Sequence, residues 1–123
     1  MANPNMVNVS SILGATTYLV PTTTTATTWT ALTPSAGTVY KIASMTAANV
    51  TATAASITVS INSATGGGGT AYRIAYQISV PGNSALNVID KSTMIYVGEG
   101  QSIVVTSGTT NAIEMVAAYE AIS

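Results

Sequence analysis

The stretch TAYRIAYQISV, residues 70–80, alternates apolar and polar side chains more regularly than any other part of the chain. Tyr72, Ile74, Tyr76, Ile78 and Val80 fall on one side of a two-residue period, and Ala71, Arg73, Ala75, Gln77 and Ser79 on the other. An extended backbone turns successive side chains to opposite faces, so this spacing predicts a half-buried β-strand with the tyrosines and isoleucines inward. The stretch SITVSIN at 56–62 repeats the pattern, with Ile57, Val59 and Ile61 on one face. Near the end of the chain, Ile113, Met115, Ala117 and Tyr119 are expected inward, and Glu114, Val116, Ala118 and Glu120 outward.

Working outward, turn signals divide the remainder into further short strands. Segments 6–13 and 16–20 meet at Gly14, and Pro21 ends the second. Residues 38–50 predict a long strand, irregular near Ala47 and Ala48, after the turn Pro34-Ser35-Ala36-Gly37. The glycine run 66–69 predicts a flexible hairpin tip, and shorter strands follow at 85–89, 94–97 and 102–107. No segment carries a 3.6-residue apolar repeat. Eight to ten short strands with turns about every 8–12 residues predict an all-β fold, an antiparallel sandwich of jelly-roll-like form. The chain of 123 residues fits one domain. Within it, residues 1–28 are expected as an extended Thr-rich arm and 29–123 as the sandwich core. The threonines at 22–28 fit a mucin-like linker or an extended edge segment, and the second reading is preferred.

Charge is scarce. Lys41, Arg73, Lys91, Asp90, Glu99, Glu114 and Glu120 are the acids and bases of the whole chain, which has no His and no Cys. An ordinary domain devotes about a quarter of its residues to such groups. Here 21 Thr and 13 Ser take their place. A polar surface with little mutual repulsion favours association, which points to a working life inside an assembly. The first eight residues lack the basic and apolar regions of a secretory signal, and no run approaches the length of a membrane span. Three scattered cations make no footprint for nucleic acid or anionic lipid.

The same scarcity argues against an enzyme. Nucleophilic catalysis needs a hydroxyl or thiol beside a base, and Lys91-Ser92 reads as a turn dipeptide. Glu114 and Glu120 share a face of one strand but lie about 20 Å apart at the usual rise, too far for a carboxylate pair. Asp90 and Glu99, at adjacent turns, supply two of the several carboxylates calcium prefers. No cofactor or metal is expected. The glycine run lacks the Gly-Lys-Ser/Thr ending of a phosphate loop.

Candidate contact residues are Trp29, Arg73 and Gln77. Trp29 is a core residue or an interface anchor, tryptophan being enriched at binding hot spots. Arg73 either snorkels beside a neighbouring carboxylate or reaches a partner subunit. Gln77 shares its face. Tyr40, Tyr72, Tyr76, Tyr96 and Tyr119 could stack on sugars, although most fall on the apolar side of their strands and are expected in the core.

The tract from Val80-Pro81 through Leu86 to Ile89-Asp90-Lys91, the hairpin Ile95-Tyr96-Val97 with Glu99-Gly100-Gln101-Ser102-Ile103, and the closing run 115–120 carry a resemblance. Together with Val39-Tyr40-Lys41-Ile42 they resemble small β-sandwich structural proteins of tailed bacteriophages, especially those infecting cyanobacteria. The resemblance covers roughly residues 38–122 and does not extend to the Thr-rich N-terminal third. It implies a non-enzymatic virion protein: a head decoration (cement) protein binding the capsid surface, or alternatively a neck, tail or baseplate part or a host-surface carbohydrate binder. Expected partners are further copies of the chain, as a dimer or trimer, and a major capsid protein or other virion protein. Assembly is expected in the host cytoplasm.

Overall fold

Ile57 and Val59 are fully buried while Thr58 between them is half-exposed, so the alternation read at 56–62 describes a real strand with one face in the core. The computed structural model describes residues 9–123. Among them are nine strands: β1 (Ile12–Leu19), β2 (Thr27–Thr28), β3 (Val39–Asn49), β4 (Ala55–Asn62), β5 (Ala71–Val80), β6 (Ser84–Ile89), β7 (Ile95–Val97), β8 (Ser102–Ser107) and β9 (Ile113–Ile122). The β-branched residues and the Pro/Gly turns select this outcome.

The pairing is that of one long antiparallel ribbon wound on itself. β4 pairs with β5 at its tip, then β3 with β6, β2 with β8, and β1 with β9. Winding places the strands in two sheets. The first runs β1-β9-β3-β6, with β7 also against β3, and the second runs β2-β8-β4-β5. With the short β7 set aside, this is the jelly-roll arrangement expected from the sequence.

The core lies between the sheets. Ile42, Met45, Ala47, Ile113, Met115 and Ala117 come from the first sheet and Ile57, Val59, Ile103 and Val105 from the second. A 3-10 turn over Thr30–Leu32 closes one side with Trp29 and Leu32. Each fully buried aliphatic side chain stabilises the fold by about 1.5–3 kcal/mol in transfer terms. The inward and outward sets expected for 113–120 are those observed, Tyr119 being packed partly buried against the core.

Three expectations differ from the structure. Segments 6–13 and 16–20 do not meet at a turn: β1 runs through Gly14 without interruption, and the start of the expected first segment lies outside the described residues. Nor does an arm end at residue 28, because β1 pairs with β9 along its whole length and β2 with β8. In β3 the irregularities fall between Ile42 and Ser44 and between Met45 and Thr46, ahead of Ala47.

The faces of β5 also differ. Opposite Ile57 and Val59 stand Ile78 and Ala75, three steps of β5 against two of β4, and the next pair, Ser60 with Arg73, adds another surplus residue. Each surplus residue is a bulge that breaks the two-residue parity. Gln77 takes φ +48° at the first bulge, and its N–H donates to Thr58 Oγ1 at 2.9 Å. Tyr76 is thereby turned out beside Arg73, away from the inward set in which its spacing placed it.

Candidate interaction surface

A sandwich of this kind exposes its sheet edges, where backbone donors and acceptors lack a neighbouring strand. Edges invite pairing with another chain, and proteins blunt them by shortness, charge or bulges. Three of the four edges here are blunted. β2 has two residues, β5 carries two bulges and Arg73, and β6 meets β3 through a bulge and ends at Asp90-Lys91.

The fourth is β1. Its eight residues pair with β9 in unbroken register and contain no charge and no proline. Ile12 is 60% exposed, Leu13 66% and Tyr18 79%, so apolar groups stand uncovered on both faces of one strand. Beyond Gly14 the space is open: a Cβ there would meet nothing within 4 Å. Cross-strand pairing puts Tyr18 in a row with Val116 and Thr46 on the outer face of the first sheet, and Val116 is exposed as well.

The residues singled out from sequence scatter. Trp29 is 1% exposed; its backbone N–H donates to Ile103 O and its indole Nε1 to Thr17 Oγ1 at 3.4 Å. It is a core residue with no surface to offer in the folded chain. Arg73 and Gln77 are both exposed on β5, where the Arg73 guanidinium lies 5.2 Å from the centre of the Tyr76 ring, a cation–π contact. The tyrosines expected inward divide. Tyr72, Tyr76 and Tyr96 are exposed, whereas Tyr40 and Tyr119 pack ring against ring, 4.9 Å between centres. Burial, and then the Tyr119 phenol, push the Tyr40 hydroxyl above its ordinary pKa.

The carboxylates have local duties. Asp90 accepts from Ser92 Oγ (2.6 Å) and Ser92 N (2.9 Å), and these bonds, with others from Thr93, hold its carboxyl below its ordinary pKa. Glu99 accepts from Gly37 N at 3.1 Å, bridging two loops. Glu120 pairs with Lys41 at 3.5 Å across β9 and β3. Among the described residues no three His, Cys, Asp or Glu side chains gather as a metal cluster would require. A shallow depression at one end of the sandwich, lined by Ala48, Asn49, Val50, Asn83, Ser84 and Ala85, brings no acid or base together.

The sequence reads β1 as parts of two strand segments joined at Gly14 and does not single it out as a contact edge, although the run is uncharged and rich in apolar residues and threonine.

No family model, curated protein or solved structure matches the chain.

Proposed function

We propose that the chain is a non-enzymatic structural subunit that works within a larger assembly, in the form of a phage capsid decoration protein bound to the head surface. The observation that carries this reading is β1, an unblunted edge strand with apolar side chains exposed on both faces of an almost uncharged molecule. A monomer with no partner has no use for such an edge and faces a standing risk of aggregation from it. The virion assignment rests on the resemblance of residues 38–122. Jelly rolls are used in viral capsid domains, which is an analogy of fold alone.

The test is the number of copies per purified virus particle. Hundreds support a decoration role, and six, twelve or a few dozen point to a neck, tail or baseplate. A chain absent from particles removes the virion reading.

One observation favours a second reading, a carbohydrate-binding module. Tyr72 and Tyr76 are exposed on one strand with Arg73 beside them, and exposed aromatic rings are the platforms on which sugars stack. Binding on a glycan array, lost in Tyr72→Ala and Tyr76→Ala, would support it.

A further inference from the structure

Ser11 and Ser123 exchange both backbone hydrogen bonds, each N–H donating to the other's carbonyl at 2.9 Å. In an antiparallel ladder such pairs recur at every second residue. In the register that joins Ile12 to Ile122 and Leu19 to Met115, residues 13, 15, 17 and 19 therefore bond to β9. Ile12, Gly14, Thr16 and Tyr18 turn their N–H and C=O groups the other way, to the open edge. Among the described residues no strand lies there.

We infer that this edge pairs with the same edge of a second copy, antiparallel about a two-fold axis at Ala15, joining the first sheets of two subunits into one. The inference names the partner for the assembly reading above and rests on it.

Three features select a second copy. The edge has no charge, so two identical edges meet without repulsion. A two-fold operation makes one antiparallel strand pair from a single surface patch. Third, the register centred on Ala15 sets Ile12 opposite the partner's Tyr18 and Gly14 opposite the partner's Thr16, with each pair repeated by symmetry. All four edge-facing residues of β1 then take part in the ladder. A register centred on Thr16 would leave Ile12 opposite Val20, which lies beyond the strand.

Side chains agree with this register. Directly opposed residues share a face, so Ile12 would cover the partner's Tyr18, a β-branched residue against an aromatic ring. These are two of the most exposed large apolar residues of the chain, and a single operation covers both. On the other face, Leu13 would lie against the partner's Thr17. The two Ala15 side chains would meet on the axis with no bulk to hold the strands apart.

Cross-linking tests both pairing and register in a chain that has no cysteine of its own. Ala15 and its symmetry mate would form a non-hydrogen-bonded pair, with Cα atoms about 4.5 Å apart, within disulfide reach. Single variants Leu13→Cys, Ala15→Cys, Thr16→Cys and Thr17→Cys are oxidised gently at micromolar concentration, and the disulfide-linked dimer is measured. Ala15→Cys is expected to cross-link several-fold faster than the others and to run at twice the 12.4 kDa chain mass. Faster reaction at Thr16 overturns the register, and equal slow reaction at all four overturns the pairing.

Sedimentation of the full chain separates this failure from that of the assembly reading. Ala15→Lys places two ammonium groups face to face on the axis and is expected to sediment as a monomer with an unchanged melting temperature, Ala15 being exposed in the single chain. An Ala15→Lys variant that still associates overturns the β1 interface while leaving assembly through another surface. A wild-type chain that stays monomeric at every concentration overturns both.

Discussion

The side-chain amide of Asn49, at the end of β3 in one sheet, donates to the carbonyl of Val80, at the end of β5 in the other, over 2.9 Å. Asn49 is buried, and its remaining bonds are also filled. Nδ2 donates to Thr53 O at 2.8 Å, and Oδ1 accepts from Thr51 N and Thr51 Oγ1. One side chain thus ties the two sheets and shapes the loop between β3 and β4.

Asn49→Ala removes every one of these bonds, including the buried one to the Val80 carbonyl, while Thr53 O keeps its bond from Thr51 Oγ1. The cost of an unsatisfied buried group is about 1–3 kcal/mol. Denaturant unfolding should show at least that loss with an unchanged slope. A loss within about 0.5 kcal/mol, the range of ordinary surface changes, would contradict the role assigned to Asn49.

Trp29 is the one tryptophan, so its fluorescence reports the core directly. A blue-shifted emission that moves red on unfolding is expected from its burial. Trp29→Ala should cost about 3–5 kcal/mol, as other large-to-small core changes do. Trp29→Phe should cost clearly less, since it keeps most of the ring and gives up the 3.4 Å bond to Thr17. A native-state emission already at the wavelength of exposed tryptophan would place the residue outside the core.

Much of the fold was legible because several strands bury one face only, and the two-residue period survives wherever pairing is regular. β4 and β9 are of this kind, and their limits were found within a few residues; β8, buried on both faces, was bounded instead by the glycine turns on either side of it. β5 was found as a strand but misread in its faces. Its parity is broken by two bulges, and a bulge depends on the partner strand, which local spacing does not record. Trp29 illustrates the same limit, since neighbours of threonine and alanine carry no period and its burial is set by β1 and β8, distant in sequence. The candidate surface was legible in kind, from the scarcity of charge. Its place was not: a glycine inside a strand and a glycine at a turn look alike until the pairing partner, here β9, is known.

Gly82 stands where the chain turns from β5 to β6, and a Cβ there would fall on the backbone of Ala52. Backbone cannot step aside as a flexible side chain can. Gly82→Ala should therefore destabilise the fold by about 1–3 kcal/mol, the usual cost of overpacking. Gly14→Ala, with open space around it, should be neutral or slightly stabilising because it narrows the unfolded ensemble. Equal melting temperatures for the two variants would show that the close approach at Gly82 is not real.

Asp90 organises its turn as a carboxylate, and the donors from Ser92 and Thr93 keep its pKa below the ordinary value of 3.8. A group whose pKa is lower folded than unfolded stabilises the fold fully above the unfolded value. That contribution fades as pH falls through the folded value. Carboxyl NMR should find Asp90 titrating below the ordinary aspartate value of 3.8, and amide exchange in residues 90–93 should quicken only at pH below about 4. Asp90→Asn should abolish that pH step, and its persistence would assign it to another group.

The strength of self-association should depend little on salt. The edge argued to pair carries no charge, and the Lys41–Glu120 ion pair lies within one chain, across β3 and β9. Contacts made of strand hydrogen bonds and apolar cover are screened far less than exposed ion pairs, whose reach at 1 M salt is only about 3 Å. Between 0.1 and 1 M sodium chloride the dissociation constant measured by sedimentation should change by less than about threefold. Weakening of the wild-type complex by tenfold or more over the same range would mean that ion pairs hold it, and the interface would have to be sought around Arg73 or Lys91 instead of β1.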